Sequence, residues 1–133
     1  MRIMVSGSRE YSDYEYLRSM LEDAAGTARD VTVVHGDARG ADRLSGRAAD
    51  EYGFKVEKYP ADWSIGNRAG AVRNSEMLAQ NIDCVLFFFF SGSANAGTRD
   101  AAKKAIRMEV PSRYFIDAEE FSLSEVKKRI RPF

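Results

Sequence analysis

Short apolar runs alternate with segments of helical period along the whole chain. β-branched and aromatic residues dominate the runs, which is typical of buried strands, whereas apolar positions three or four apart indicate amphipathic helices. The runs predict strands over residues 2–6, 31–35, 55–59, 84–89 and 112–116. The helical segments predict helices over residues 12–25, 41–52, 71–80, 98–108 and 122–130.

Five strand–helix repeats predict an α/β fold, a doubly wound parallel sheet with helices on both faces. The third strand has the polar alternation of an edge strand, and the fourth is apolar on both faces, as a central strand should be. We therefore expect the strand order 3-2-1-4-5 in a single domain over residues 1–133. The first, second and fourth strands then end at one edge of the sheet, where such folds bind ligands.

Composition narrows the function classes. The chain has 44% hydrophobic residues, and its 20 basic and 20 acidic side chains cancel. Because no global basic field results, nucleic acid is an unlikely partner. Cys84 is the single cysteine, so no intrachain disulfide can form, and a cytoplasmic location fits. The longest apolar run, residues 84–90, is shorter than the about 20 residues that a membrane-spanning helix needs, so no membrane partner is expected.

The loop after the first strand has the sequence S-G-S-R. Gly7, Ser8 and Arg9 offer backbone N–H groups, a hydroxyl and a guanidinium, a combination that suits a phosphate or a carboxylate. A tight turn with an exposed arginine is the alternative interpretation.

The segment H-G-D-A-R-G-A-D follows the second strand and opens the second helix. Gly36 and Gly40 permit close approach to a ligand, and Arg39 could clamp an anion. Asp42 either stabilises the first helical turn or accepts hydrogen bonds from ribose hydroxyls. Asp37 lies in the loop itself, where capping does not explain it.

A third loop of small residues follows the fourth strand. Gly92 and Ser93 lie within it, and Gly97 and Thr98 precede or open the next helix, so their N–H groups form another candidate phosphate cradle. The chain lacks both G-x-G-x-x-G and the Walker lysine–serine pair, which excludes the usual dinucleotide redox enzymes and NTPases. No metal-ligand spacing is present, and we expect no metal or cofactor.

Arg73 and Met77 share one face of the third predicted helix. An arginine on a partly apolar face must reach water or an anion, and Asn74 stands beside it. Trp63, in the preceding loop, either stacks on a base or seals the sheet edge.

Five segments, taken in order, resemble those of a known family. They are S-G-S-R, H-G-D-A-R-G-A-D, A-D-W at 61–63, G-A-V-R-N-S-E-M at 70–77 and G-T-R-D at 97–100. The chain is similar to the YspA/YpsA-related branch of the SLOG superfamily over residues 2–116. That superfamily consists of Rossmann-like domains related to the Smf/DprA and Lonely-guy proteins. The resemblance implies binding of a nucleotide or a nucleotide-derived ligand.

Lonely-guy enzymes hydrolyse the N-glycosidic bond of nucleoside 5′-monophosphates with an arginine from an R-K-x-x-M helix and a glutamate from a P-G-G-x-G-T-x-x-E loop. Arg73 and Met77 match the first motif, and residues 97–98 match the glycine–threonine of the second. The glutamate falls on Ala101, although Asp100 stands one residue earlier, and the loop here is longer.

The resemblance therefore leaves three functions open. One is a nucleotide N-glycosidase or phosphoribohydrolase, in which Asp100 or Asp37 stabilises the ribose cation or activates water while Arg73 holds the 5′-phosphate. The second is a sensor or sequestering protein for a signal such as an ADP-ribose derivative, and the least expected is association with single-stranded DNA. We expect the third loop and Arg73 to hold the phosphate, and Asp37, Arg39 and Asp42 to hold the sugar or the rest of the ligand. A homodimer is implied by the Lonely-guy resemblance.

Overall fold

A computed structural model of the chain describes residues 1–91, 95–130 and 133. The strands are β1 (Arg2–Gly7), β2 (Thr32–His35), β3 (Lys55–Lys58), β4 (Cys84–Phe89), β5 (Ser112–Ile116) and β6 (Glu119–Phe121). The helices are α1 (Tyr14–Ala25), α2 (Ala41–Tyr52), α3 (Ala69–Leu78), α4 (Ala96–Arg107) and α5 (Leu123–Arg129). A short 3-10 turn, Trp63–Ile65, lies between β3 and α3. No helix in the described part of the chain is both long enough and apolar enough to cross a membrane.

The strands form one sheet in the order β3-β2-β1-β4-β5-β6. β1 to β5 pair in parallel, which confirms the predicted Rossmann-like order and the exposed position of β3. Sequence analysis missed β6, which pairs antiparallel with β5 and forms the other edge. This strand is short and polar, so it has no apolar pattern. It forms because Asp117, at a φ of 52°, reverses the chain next to β5.

The helices cover both faces of the sheet. β4 shows the division, because Leu86 and Phe88 pack in the core on one face with α1 and α2, while Val85, Phe87 and Phe89 pack on the other with α3, α4 and α5. All five of these side chains are fully buried. Burial on both faces explains why β4 is a continuous apolar run, and it holds the ends of the central strands in fixed positions.

The two loops that follow β1 and β2 lie directly against each other. Gly40 has a φ of 84°, and a Cβ there would overlap the carbonyl oxygen of Ser8 and lie 2.6 Å from that of Arg9. The Ala41 N–H donates to the Ser8 carbonyl at 3.3 Å. Glycine at position 40 therefore brings the start of α2 onto the β1–α1 loop.

Replacement of Gly40 by alanine should destabilise the protein more than replacement of Gly53. Gly53 also has a positive φ, 74°, but no atom lies within 4 Å of where its Cβ would be. G53A should therefore cost about 1 kcal/mol in the free energy of unfolding, from backbone strain alone. G40A should cost a further ~1–3 kcal/mol because backbone carbonyls must move. Urea denaturation measures both losses, and equal losses would show that the two loops are not packed tightly.

Candidate functional site

A cavity of about 650 Å³ opens at the carboxyl edge of the sheet. The loops after β1 and β2, the 3-10 turn and the N-terminal halves of α3 and α4 contribute its walls. The strand order reverses between β1 and β4, so the cavity lies where parallel sheets of this type bind ligands.

Arg73 is held against the backbone of the β2–α2 loop. Its Nη1 donates to the Gly36 carbonyl at 2.7 Å, and its Nε donates to Asn74 Oδ1 at 3.0 Å. Position 36 must be glycine for this contact, because a Cβ would overlap the guanidinium. Within the described residues, Nη2 has no hydrogen-bond acceptor and the guanidinium has no carboxylate partner. The cavity is therefore lined by a cation that is positioned without a close ion pair among the described residues and that interacts with the Asp42 carboxylate only at longer range.

Asp42 binds the other side of the same peptide segment. Its Oδ2 accepts the N–H groups of Gly36 at 3.1 Å and Ala38 at 3.3 Å, and the residue is only 6% exposed. Burial raises the pKa of this carboxyl to about 6, against the opposing effects of the two hydrogen bonds and of Arg73. Asp42 lines the cavity, so a carboxyl group that titrates near neutrality faces it.

Asn74 connects Arg73 to α4. The residue is 2% exposed, and its Nδ2 donates to the Gly97 carbonyl at 3.0 Å and to Asp100 Oδ2 at 3.1 Å. Asp100 also forms an ion pair of 2.9 Å with Lys104, whose Nζ donates in turn to a carbonyl of α3. The Asp100 carboxylate is thus fixed at the cavity wall beside an ammonium group.

Position 101, where the resembling loop carries its glutamate, points away from the cavity. Ala101 is fully buried in the core between α4 and the sheet. Asp100 lines the cavity instead. Position 101 therefore supplies no carboxylate to the cavity, whereas Asp100, one residue earlier, does.

Nine of the predicted site residues line the cavity: Gly7, Arg9, Asp42, Trp63, Arg73, Asn74, Gly97, Thr98 and Asp100. Gly36, Asp37 and Arg39 border an adjoining groove instead. Gly92 and Ser93 lie outside the described residues.

The contacts of Ser8 and Gly40 position the loops that form the cavity. Ser8 is fully buried, and its Oγ accepts the Phe90 N–H at 3.0 Å, which joins the ends of β1 and β4. Gly40 is packed on the carbonyl of Ser8. Both residues therefore shape the site without lining the cavity.

The structure groups the key residues differently from our expectation. Asp37 has a φ of 57° and lies 3.6 Å from Arg43, so it faces the groove while Asp42 faces the cavity. Arg73 lines the same cavity as Gly97 and Thr98 of the third loop, and it also contacts the Gly36 carbonyl. The left-handed backbone at Asp37 separates side chains that are neighbours in sequence.

Sequence analysis missed Asn95. Its Oδ1 accepts both the N–H of Thr98, at 2.7 Å, and the Thr98 hydroxyl, at 2.8 Å, so it caps α4 two residues earlier than predicted. An asparagine three residues before a helical N–H is a common capping pattern and could have been recognised. The N–H of Thr98 is consequently satisfied by the protein itself.

His35, the one histidine of the chain, is buried next to the site. Its Nδ1 accepts the Asp37 N–H at 2.9 Å, while Nε2 has no partner within the described residues and lies under Gly46 of α2. Burial lowers the pKa of His35 to about 4. The imidazole is therefore neutral at pH 7 and holds the loop through Nδ1.

Asp42 and His35 should make opposite contributions to the pH dependence of stability. Asp42 has a raised pKa, so its stabilisation is complete below its ordinary value of 3.8 and is lost as the pH rises through about 6. His35 has a lowered pKa, so its stabilisation is complete above 6.5 and is lost as the pH falls towards 4. Between pH 4 and 6, Asp42 makes the free energy of unfolding fall with pH and His35 makes it rise with pH, so the two contributions cancel.

Single variants remove this cancellation. In D42N, the free energy of unfolding should rise with pH between 4 and 6 more steeply than in the native chain, by up to ~1.4 kcal/mol per unit. In H35N, the new amide oxygen can still accept the Asp37 N–H. The slope of the free energy of unfolding against pH should be lower in this variant than in the native chain by a similar amount. Urea denaturation at several pH values measures both slopes, and unchanged slopes would contradict the two pKa shifts.

Comparison with known proteins places the chain in a family. The family model of the YspA, cpYpsA-related SLOG proteins matches residues 1–66. The Gene 61 protein of Mycobacterium phage D29 is 35% identical over 117 residues, covering 83% of this chain and 92% of that protein. The DNA processing protein A (DprA) structure from Streptococcus pneumoniae matches 99% of this chain at a TM-score of 0.51 and 14% identity, and this chain spans 62% of its length. The protein belongs to the YspA, cpYpsA-related SLOG family.

Proposed function

We propose that this protein binds a nucleotide or a nucleotide-derived ligand in the cavity at the carboxyl edge of the sheet. The observation that carries the proposal is Arg73, a guanidinium fixed by Gly36 and Asn74 that lines the cavity with no carboxylate partner among the described residues. A positioned arginine with free N–H donors is suited to a phosphate group. Family membership supports a nucleotide-related function.

The remaining wall suits the rest of such a ligand. Asp42 and Asp100 offer carboxyl oxygens to sugar hydroxyls, and Arg9 adds a second cation near Arg73. Trp63 borders the cavity and is 57% exposed, so its indole face is available to a base. In this arrangement Arg73 holds the phosphate beside the β2–α2 loop.

Substitution of Arg73 by glutamine should weaken binding of a nucleoside monophosphate about 10- to 100-fold, because a charge-assisted hydrogen bond is lost. R73K should recover only part of the affinity, since the three donors of an ammonium share one nitrogen and cannot reach the separate positions that the guanidinium nitrogens occupy at Gly36, at Asn74 and in the cavity. Isothermal titration calorimetry with AMP, GMP, CMP and UMP measures these affinities.

R107Q is the matched control, because Arg107 is an exposed arginine in the last turn of α4. This variant should bind like the native chain. A folded native protein that binds none of the four monophosphates, and no diphosphate either, would refute the proposed function. Equal affinities for R73Q and the native chain would remove Arg73 from the site.

Hydrolysis of the N-glycosidic bond is the second candidate, favoured by two carboxyl groups in different environments within one cavity. Asp100, ion-paired with Lys104, would stabilise the positive charge that develops on the ribose. Asp42, whose pKa is raised to about 6, would donate its proton to the departing base. Water would attack C1′ and give its proton back to Asp42, so a nucleoside monophosphate and water would yield a free base and ribose 5-phosphate.

If the protein is a hydrolase, D100N should lower the rate of base release at least about 100-fold, because an uncharged amide stabilises an oxocarbenium ion poorly. D42N should lower it about 10²- to 10⁴-fold, the usual contribution of a general acid. Chromatography of free base after incubation with each monophosphate measures both rates.

Release of no base by a protein that binds the same nucleotide would leave the binding function alone, as in a sensor or a sequestering protein for a ligand such as an ADP-ribose derivative. Mass spectrometry of the recovered ligand distinguishes these cases, because a binding protein returns it intact.

A further inference from the structure

A groove of about 620 Å³ adjoins the cavity, and no step of the proposed function uses most of it. Its walls are the β2–α2 loop, the start of α2, the 60–61 segment and the 3-10 turn. Among the described residues, four arginines line this groove against a single carboxylate, that of Asp37. They are Arg9, Arg39, Arg43 and Arg73.

The groove is continuous with the cavity. Arg9, Trp63 and Arg73 border both spaces. A ligand whose phosphate lies at Arg73 can therefore extend past the indole into the groove without leaving the protein surface. Trp63 is held at this boundary by a 3-10 turn that Asp62 caps, because Asp62 Oδ1 accepts the Ser64 N–H at 3.1 Å.

The two spaces differ in charge. The cavity has three carboxylates, those of Glu10, Asp42 and Asp100, against the two arginines that it shares with the groove. The groove adds Arg39 and Arg43, and gains only Asp37. The cavity thus suits the hydroxyl-rich part of a ligand, and the groove suits an anionic part.

Arg39 and Arg43 make their polar contacts at the exposed surface. Arg39 lies 3.6 Å from Glu10, and its Nε donates to the Arg9 carbonyl at 3.3 Å. Arg43 lies 3.6 Å from the Asp37 carboxylate, and its Nε donates to the Asp37 carbonyl at 3.2 Å, so the terminal Nη groups of both arginines remain available. The side chains of Arg39 and Arg43 are 72% and 65% exposed. Ion pairs of this kind contribute little, so both guanidinium groups can turn to an incoming anion at low cost.

We infer that the groove is the subsite for a second phosphate, so that the ligand of this protein is a nucleoside diphosphate or a compound built on one. This inference rests on the proposed function and names its ligand class. The first phosphate lies between Arg9 and Arg73, and the second lies between Arg39 and Arg43. A monophosphate would leave the latter two arginines with only their carboxylate partners at the surface, Glu10 and Asp37.

Calorimetry on the full chain with two matched pairs of probes, AMP with ADP and GMP with GDP, tests the inference. The diphosphate of at least one pair should bind about 10-fold or more tightly than its monophosphate, since a charge-assisted phosphate contact is gained. R39Q and R43Q should each lower that ratio several-fold. R107Q should keep it, because that arginine lies outside the groove.

The outcomes separate the inference from the proposed function. A native protein that binds none of these four nucleotides, nor CMP, UMP or their diphosphates, overturns both. Monophosphates bound as tightly as diphosphates, or a ratio that R39Q and R43Q leave unchanged, overturn the diphosphate subsite while nucleotide binding stands. The diphosphate subsite is also overturned if a (dT)₁₀ oligonucleotide binds more tightly than ADP and if salt, R39Q and R43Q all weaken that binding. The groove would then bind a nucleic-acid strand.

Discussion

One glycine residue connects the two charged groups on which the site depends. The N–H of Gly36 donates to Asp42, and its carbonyl accepts from Arg73. Only a residue without a Cβ allows the guanidinium to lie this close to the backbone. The contact joins the β2–α2 loop to α3, and it determines where the positive charge of Arg73 lies in the cavity. Position 36 therefore controls the site without supplying a side chain to it.

Two further contacts position the β1–α1 loop and the start of α4 at the cavity that Arg73 lines. Gly40 packs on the carbonyls of the β1–α1 loop, and Asn74 bridges from Arg73 to the first turns of α4. The three loops thus form one connected surface with buried polar links, in which Gly36 and Asn74 each bond to at least two neighbouring groups. Such a surface is organised before any ligand arrives, which lowers the entropic cost of binding. The charge difference between cavity and groove is a property of this assembled surface.

Much of the fold could be predicted from the pattern of apolar positions. Strand order, the exposed β3 and the central β4 were confirmed, because burial on one or both faces of a strand leaves a clear periodicity. β6 could not be predicted, since a short polar strand forms only where a neighbour offers its edge. The earlier start of α4 depends on the Asn95 cap, a local signal that sequence analysis overlooked. Dimer formation stays a prediction of the resemblance.

The sequence by itself determined the five parallel strands and the five helices, which loops share the carboxyl edge, and the presence there of arginines, aspartates and glycines. Only the tertiary structure decided how these groups are divided. Asp37 turns to the groove and Asp42 to the cavity, while Arg73 contacts Gly36 directly and the start of α4 through Asn74. The reason is that a loop side chain takes its direction from the backbone dihedral at its own position and from the neighbours that other elements bring. Neither leaves a periodic trace along the chain.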